Sequence, residues 1–208
     1  MKKLVDWYIK YIRAEEKNWN DVYTQKFASA SEEKKAKMLL IGSHQWYLTC
    51  FHSEIREEIL SMLCTTKPWE QQSLATSFED LFEEWKAKLD YEYVNQLTFY
   101  DVALRMAILQ QREELRPQRY VYLHATPLAA YRWLYKHKKV NAKVSGSSAI
   151  IEIRDLKGAF GALTAKEIED LLCRLAKAIT RQKDGKQHTS KLERDNVLDD
   201  IFNEIQNK

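Results

Sequence analysis

Residues 164–179, TAKEIEDLLCRLAKAI, read as one amphipathic helix from end to end. Thr164 and Glu167 form a capping box, in which each side chain accepts from the other residue's free backbone N–H. Ile168, Leu171, Leu172, Leu175 and Ile179 then recur at the spacing of one helix face, with charges between them. The same pattern extends through most of the chain. Thr126-Pro127 reads as a helix start, Thr as N-cap and Pro at the first helical position, ahead of Leu128, Tyr131, Leu134 and Tyr135. Thr98-x-x-Asp101, Thr76-x-x-Glu79 and Ser29-x-x-Glu32 predict three more helix starts. A helical period also runs from Lys3 to about Tyr23, and the apolar segment of Ile55, Ile59, Leu60 and Leu63 ends before Pro68.

β signals are sparse. Tyr120–His124 is β-prone but short. Val140, Ala142 and Val144 alternate, Gly146-Ser147 turns, and Ala149, Ile151 and Ile153 alternate again, which predicts a hairpin over about 139–154. Gly158 to Gly161 reads as a loop. Arg181–Thr189 is a polar stretch, after which Ser190-x-x-Glu193 opens an amphipathic helix over 190–207 bearing Leu198, Ile201, Phe202 and Ile205. The expected architecture is mainly α: a multi-helix globular domain over 1–180 with one small β-hairpin, then a linker and a C-terminal amphipathic helix over 181–208 that docks on it.

Composition excludes several classes. Six Trp, eleven Tyr and seven Phe among 208 residues are too many for a chain that cannot collapse, and Gly and Cys are too scarce for collagen or a disulfide scaffold. Uncharged apolar runs fall short of the roughly 20 residues a membrane span needs. Asp6, Lys10 and Arg13 break up any apolar region behind Lys2-Lys3, so a signal peptide is not expected. The odd cysteine count (Cys50, Cys64, Cys173) fits reduced thiols, and a cytoplasmic location is expected.

Net charge is only +3, but its distribution is uneven. Residues 54–101 hold four Lys/Arg against eleven Asp/Glu, whereas 102–143 hold nine against two. The basic block comprises Arg105, Arg112, Arg116, Arg119, Arg132, Lys136, Lys138, Lys139 and Lys143, interleaved with Tyr120, Tyr122, Tyr131, Trp133 and Tyr135. Cations that displace counterions from phosphates, beside rings that can stack on bases, suit DNA or RNA. The bland alternative is a solvated face with its rings in the core.

Leu97-Thr98-Phe99-Tyr100-Asp101-Val102-Ala103-Leu104-Arg105-Met106, followed by Pro117 and Tyr120-Val121-Tyr122-Leu123-His124-Ala125, resembles a loosely defined group of uncharacterised bacterial proteins. Their pattern is like G-I-G-x-L-T-x-Y-D-x-A-x-R-I … P-x-x-V-Y-L-H-A-G-T, and Ser43-His44-Gln45 is similar to a further polar motif of the group. The resemblance spans roughly 90 residues, with a tight part of about 30. In that group the glycine element is similar to the hairpin of a helix-hairpin-helix, a non-specific DNA-backbone binder, and this implies nucleic-acid contact here. The matching positions are Tyr93–Thr98, where both glycines are replaced. Asn95 retains access to the left-handed conformation, Tyr93 adds bulk where a phosphate would approach, and Thr126-Pro127 replaces the downstream Gly-Thr. The resemblance implies no particular activity.

Other candidate sites each carry a structural alternative. Asp101 and Arg105, four apart on one helix, form either a polar pair reaching a substrate or phosphate, or an intrahelical ion pair. His124 is either a general base or a buried imidazole with a backbone partner. Together Tyr100, Asp101, Arg105, Tyr122 and His124 outline a candidate polar site, with Asp101 and His124 its catalytic candidates. The spacing of His44, Cys50, His52 and Cys64 matches none of the common zinc patterns, so no metal is expected. Ser145–Ser148 reads as a turn, and Gly158-x-x-Gly161 lacks the Lys-Ser/Thr of a phosphate loop; no cofactor is expected.

Three functions follow as expectations. The first is a nucleic-acid-associated cytoplasmic protein that contacts the backbone through segment 105–143, with Arg112, Arg116, Arg119, Arg132, Lys136, Lys138, Lys139 and Lys143 as its cations. The second is a protein-interaction or self-association module using 54–101 or 190–207. The third is an enzyme with its site near Tyr100, Asp101, Arg105 and His124. A membrane partner is not expected.

Overall fold

The structure is a computed structural model that describes residues 1–41, 53–92, 94–183 and 192–206. Ser43-His44-Gln45, Cys50, His52, Tyr93, the later part of the polar stretch and Ser190 lie outside the described residues. In chain order the helices are α1 (Lys2–Tyr11), α2 (Arg13–Ala28), α3 (Glu32–Ile41), α4 (Ser53–Thr66), α5 (Phe78–Lys88) and α6 (Gln96–Leu109). Strand β1 (Tyr120–Leu123) follows, then α7 (Ala125–Lys136), β2 (Ala149–Glu152), α8 (Ala165–Lys183) and α9 (Glu193–Gln206). The fold is mainly α with one small two-stranded antiparallel sheet and a C-terminal helix.

The chain forms two compact units, Met1–Lys17 with Gln118–Lys208, and Asn18–Pro117. This partition differs from the expected body over 1–180 with a tail. The first unit contains both ends of the described chain because α1 and α9 each bury an apolar face in the same core. Leu4, Trp7 and Tyr8 of α1 join Leu198, Ile201, Phe202 and Ile205 of α9 there, along with Val121, Leu123, Tyr131, Leu134, Ile168, Leu171 and Leu175. Polar contacts hold the same pair of helices. Trp7 Nε1–H donates to the Arg194 carbonyl at 2.7 Å, Tyr11 Oη–H donates to Glu193 at 2.7 Å, and Lys3 pairs with Glu204. The predicted capping box is present at the start of α8, where Glu167 N–H donates to Thr164 Oγ1 at 3.3 Å and Thr164 N–H to Glu167 Oε2 at 2.9 Å.

The sheet is built from a different pair of segments than the hairpin pattern predicts. β2 pairs antiparallel with β1, Tyr120 opposite Glu152 and Leu123 opposite Ala149, while residues 140–144 form no strand. Val121 and Leu123 have no exposed surface, so β1 places two side chains in the core as it pairs. Residues 140–144 instead lie against α7: Val140 is buried, and the Tyr131 hydroxyl donates to the Ala142 carbonyl at 3.0 Å. Their alternation reflects a chain laid on a helix and not a ladder. Gly158–Gly161, predicted as loop, starts in a short helical turn, Lys157–Phe160.

Cap positions also shift. His124 is the N-cap of α7, which makes Pro127 its third residue; the first turn tolerates Pro because its N–H groups have no helical partner anyway. Ser77, not Thr76, caps α5 by accepting from Asp80 N–H, and Asp80 in turn accepts from Thr76. The α3 cap is Ser31, and the α6 cap is Asn95.

The second unit packs α3, α4, α5 and α6 around Leu39, Ile59, Leu63, Phe78, Leu81, Trp85, Val102 and Met106. Phe78 and Tyr100 meet edge to face at 5.4 Å, as do Phe82 and Phe99 at 6.4 Å. An aromatic series at helical spacing on α2, Trp19, Tyr23 and Phe27, continues to Trp69.

Phe202 is buried and stacks on Trp133 with ring centroids 4.9 Å apart. Phe202→Ala is expected to lower stability by about 3–5 kcal/mol in urea unfolding; a loss near zero would mean that α9 adds nothing to the core.

Candidate functional site

Arg105 sits on α6 with its side chain 7% exposed. Its Nη1 donates to the carbonyls of Leu39 at 2.9 Å and Leu40 at 3.2 Å, and its Nη2 to Asp101 Oδ2 at 3.3 Å. The last carbonyls of a helix lack partners within it. Tyr23 Oη–H donates to the Met38 carbonyl at 3.2 Å, so two side chains take three successive carbonyls at the C-terminus of α3. Arg105 is therefore a helix cap aligned by Asp101. Its cation also offsets the negative end of the α3 dipole.

The other members of the candidate polar site have separate local roles. Tyr122 and His124 belong to the unit that contains β1, whereas Tyr100, Asp101 and Arg105 belong to Asn18–Pro117. Tyr122 is buried and faces Ile150 across the sheet. His124 is buried at the α7 N-cap, its carbonyl accepting from Leu128 N–H at 2.8 Å. In the helix-hairpin-helix-like element, Asn95 is extended (φ −108°) and not left-handed. Its Oδ1 accepts from Thr98 N–H at 3.2 Å, so a side chain occupies a donor that a phosphate would use.

The basic block divides into two sets. Arg112 donates to the carbonyls of Ser73 and Ala75 at 2.9 and 3.0 Å and pairs with Glu114. Arg116 pairs with Glu113, and Arg119 pairs with Glu152 while lying over the Tyr120 ring. Each of these three arginines has an acceptor within the fold. Lys136, Lys138, Lys139 and Lys143 differ: among the described residues none pairs with a carboxylate, and all but the half-buried Lys139 are exposed. Arg132 is intermediate. Its guanidinium donates to the Gly146 carbonyl and so ties the loop 140–148 to α7. Gly146 holds φ +84°, which a side chain rarely adopts. Lys138 is left-handed too (φ +57°), and closes α7 with Lys139 N–H donating to the Leu134 carbonyl at 2.9 Å.

A polar network on α2 and α8 carries no signal in the sequence beyond helical charge pairs. Arg174 donates to Glu16 at 2.8 Å and to Asp170 at 3.1 Å, and Lys166 pairs with Glu169. Burial, then the nearby Asp170, holds the Glu16 carboxyl above its ordinary range despite Arg174. Burial, and then the Asp170 charge, raises the Tyr8 phenol. Burial, followed by Glu169, raises the Cys173 thiol, so this cysteine lacks the thiolate character of a nucleophile. An apolar depression lined by Ile153, Leu156, Phe160 and Leu163 contains no titratable side chain.

Among the described residues no group of three His, Cys, Asp or Glu side chains is placed to hold a metal ion, and no helix is long and apolar enough to cross a membrane. Cys64 is a free thiol, while the other three residues of the zinc reading lie outside the described set. No known family, curated protein or solved structure matches the chain at a significant level.

Arg105→Met removes the cap from two carbonyls and leaves Asp101 without its partner; it is expected to cost about 3–5 kcal/mol in denaturant unfolding. Glu16→Gln keeps an acceptor for Arg174 but removes a charge that the fold disfavours. It is expected to stabilise at neutral pH, with the gain fading as pH falls through the carboxyl range, where folded and unfolded Glu16 are both protonated. Melting curves of wild type and variant across that range give the sign, and destabilisation at neutral pH would contradict it.

Proposed function

We propose that this protein contacts the phosphate backbone of nucleic acid in the cytoplasm through the carboxyl end of α7 and the loop that follows, with Lys136, Lys138, Lys139 and Lys143 as the contacting cations. The observation that carries this reading is that these four lysines lack carboxylate partners among the described residues, on a segment tied down at both Ala142 and Gly146. Each phosphate neutralised by a lysine releases condensed counterions, a gain that grows with the number of cations presented together. Arg132 acts by holding the loop, so it is a positioning residue. Arg112, Arg116 and Arg119 drop out of the contact set because carbonyls and carboxylates already occupy them. Lys136 and Lys138 also lie at the carboxyl end of α7, where positive charge is worth about 0.3–1 kcal/mol to the helix. That role needs one or two charges and leaves Lys139 and Lys143 unexplained.

The test is fluorescence anisotropy with a labelled oligonucleotide between about 50 and 200 mM salt. Binding should weaken steeply with salt, with a log–log slope of roughly −3 to −4 for four cations. Lys139→Ala with Lys143→Ala should reduce that slope by about 2. Binding that is absent at the lowest salt, or insensitive to salt, would overturn the reading.

A further inference from the structure

We infer that this surface takes duplex nucleic acid in preference to single strands and reads no base sequence. The inference rests on the phosphate-contact reading and specifies its ligand. Binding of single strands without sequence preference depends on rings on which bases can stack. Five rings lie in or beside the basic segment, and four have other partners. Tyr131 has no exposed surface and Tyr122 is 4% exposed. Trp133 stacks on Phe202 on one side and meets the His137 ring at 4.2 Å. The Arg119 guanidinium lies 4.9 Å above Tyr120. Only Tyr135 of the five, at 37% exposure, keeps an accessible ring without a ring or cation on it among the described residues. One ring makes no platform for successive bases.

A second observation disfavours base reading in the major groove. Sequence recognition there relies most often on a forked guanidinium bonding a guanine edge, and the one arginine of this surface, Arg132, donates to Gly146. The lysines beside it are compact point charges that suit single phosphate oxygens. A ligand recognised by charge alone is favoured by its charge density, and duplex DNA carries about one charge per 1.7 Å of axis. An anionic membrane would need an apolar face beside the cations, but Leu128, Tyr131 and Leu134 of α7 point into the core.

The experiment is a competition titration of the full chain at about 50 mM salt, using a mixed-sequence duplex, the corresponding single strand and vesicles of phosphatidylserine and phosphatidylcholine. The duplex should compete about tenfold better than the single strand, and changing its sequence should alter affinity by less than about twofold. Tyr135→Ala should leave single-strand affinity within about twofold of wild type. Equal or tighter binding of the single strand, its selective loss in Tyr135→Ala, sequence preference in the duplex, or tighter binding of vesicles would overturn the inference while leaving salt-dependent binding intact. Failure to bind either nucleic acid would overturn the phosphate-contact reading, and this inference with it.

Discussion

The hydroxyl of Tyr131 decides how the basic end of α7 is displayed. Its ring has no exposed surface and belongs to the hydrophobic core of its unit, so its position is set by the core. From there the hydroxyl takes the Ala142 carbonyl, and the adjacent, exposed Arg132 takes that of Gly146. Two neighbouring residues thus hold one loop from the buried and the solvent side. Without them Lys143 would belong to a chain free to explore many arrangements, and a multivalent contact would lose its preorganisation. Core packing and charge display are linked through a single phenol.

Cations do two kinds of work in this chain. In Asn18–Pro117, Arg105 and Arg112 point their forks at backbone carbonyls and satisfy polar groups that a helix end and a loop leave open. Acidic side chains there have lysines close by in sequence, such as Glu83 with Lys86 and Glu84 with Lys88. Lysines without a carboxylate partner among the described residues stand in both units, Lys26 and Lys34 in this one and Lys136, Lys138, Lys139 and Lys143 in the other. The planar five-donor guanidinium suits fixed carbonyl pairs, whereas an ammonium on a flexible stem is easily left in water. The division between structural and available charge therefore follows residue type as well as position.

Helices were legible wherever the signal was local. The Thr164–Glu167 box and the face of Ile168, Leu171, Leu172, Leu175 and Ile179 lie within one helix, and α8 follows them. The starts of α3, α5 and α6 were displaced by one to three residues because more than one Ser, Thr or Asn side chain stood near each boundary and one of them reaches a free N–H. The β pairing was misread because Val140, Ala142 and Val144 alternate as a strand does, and nothing nearby in sequence shows that Tyr131 takes the Ala142 carbonyl. The Asp101–Arg105 spacing did indicate a pair. That its guanidinium reaches Leu39 and Leu40, more than sixty positions away, has no local signature.

By itself the sequence determined that this is a mainly helical chain with an acidic block followed by a basic one, since periodicity, capping residues and charge are properties of short stretches. The tertiary structure alone decided which strand Ala149–Glu152 joins, that α1 and α9 share a core, and which cations meet an acceptor. Those outcomes depend on contacts between residues far apart in the chain. Burial then rewards whichever distant groups satisfy each other's hydrogen bonds and charge, a condition no local window contains.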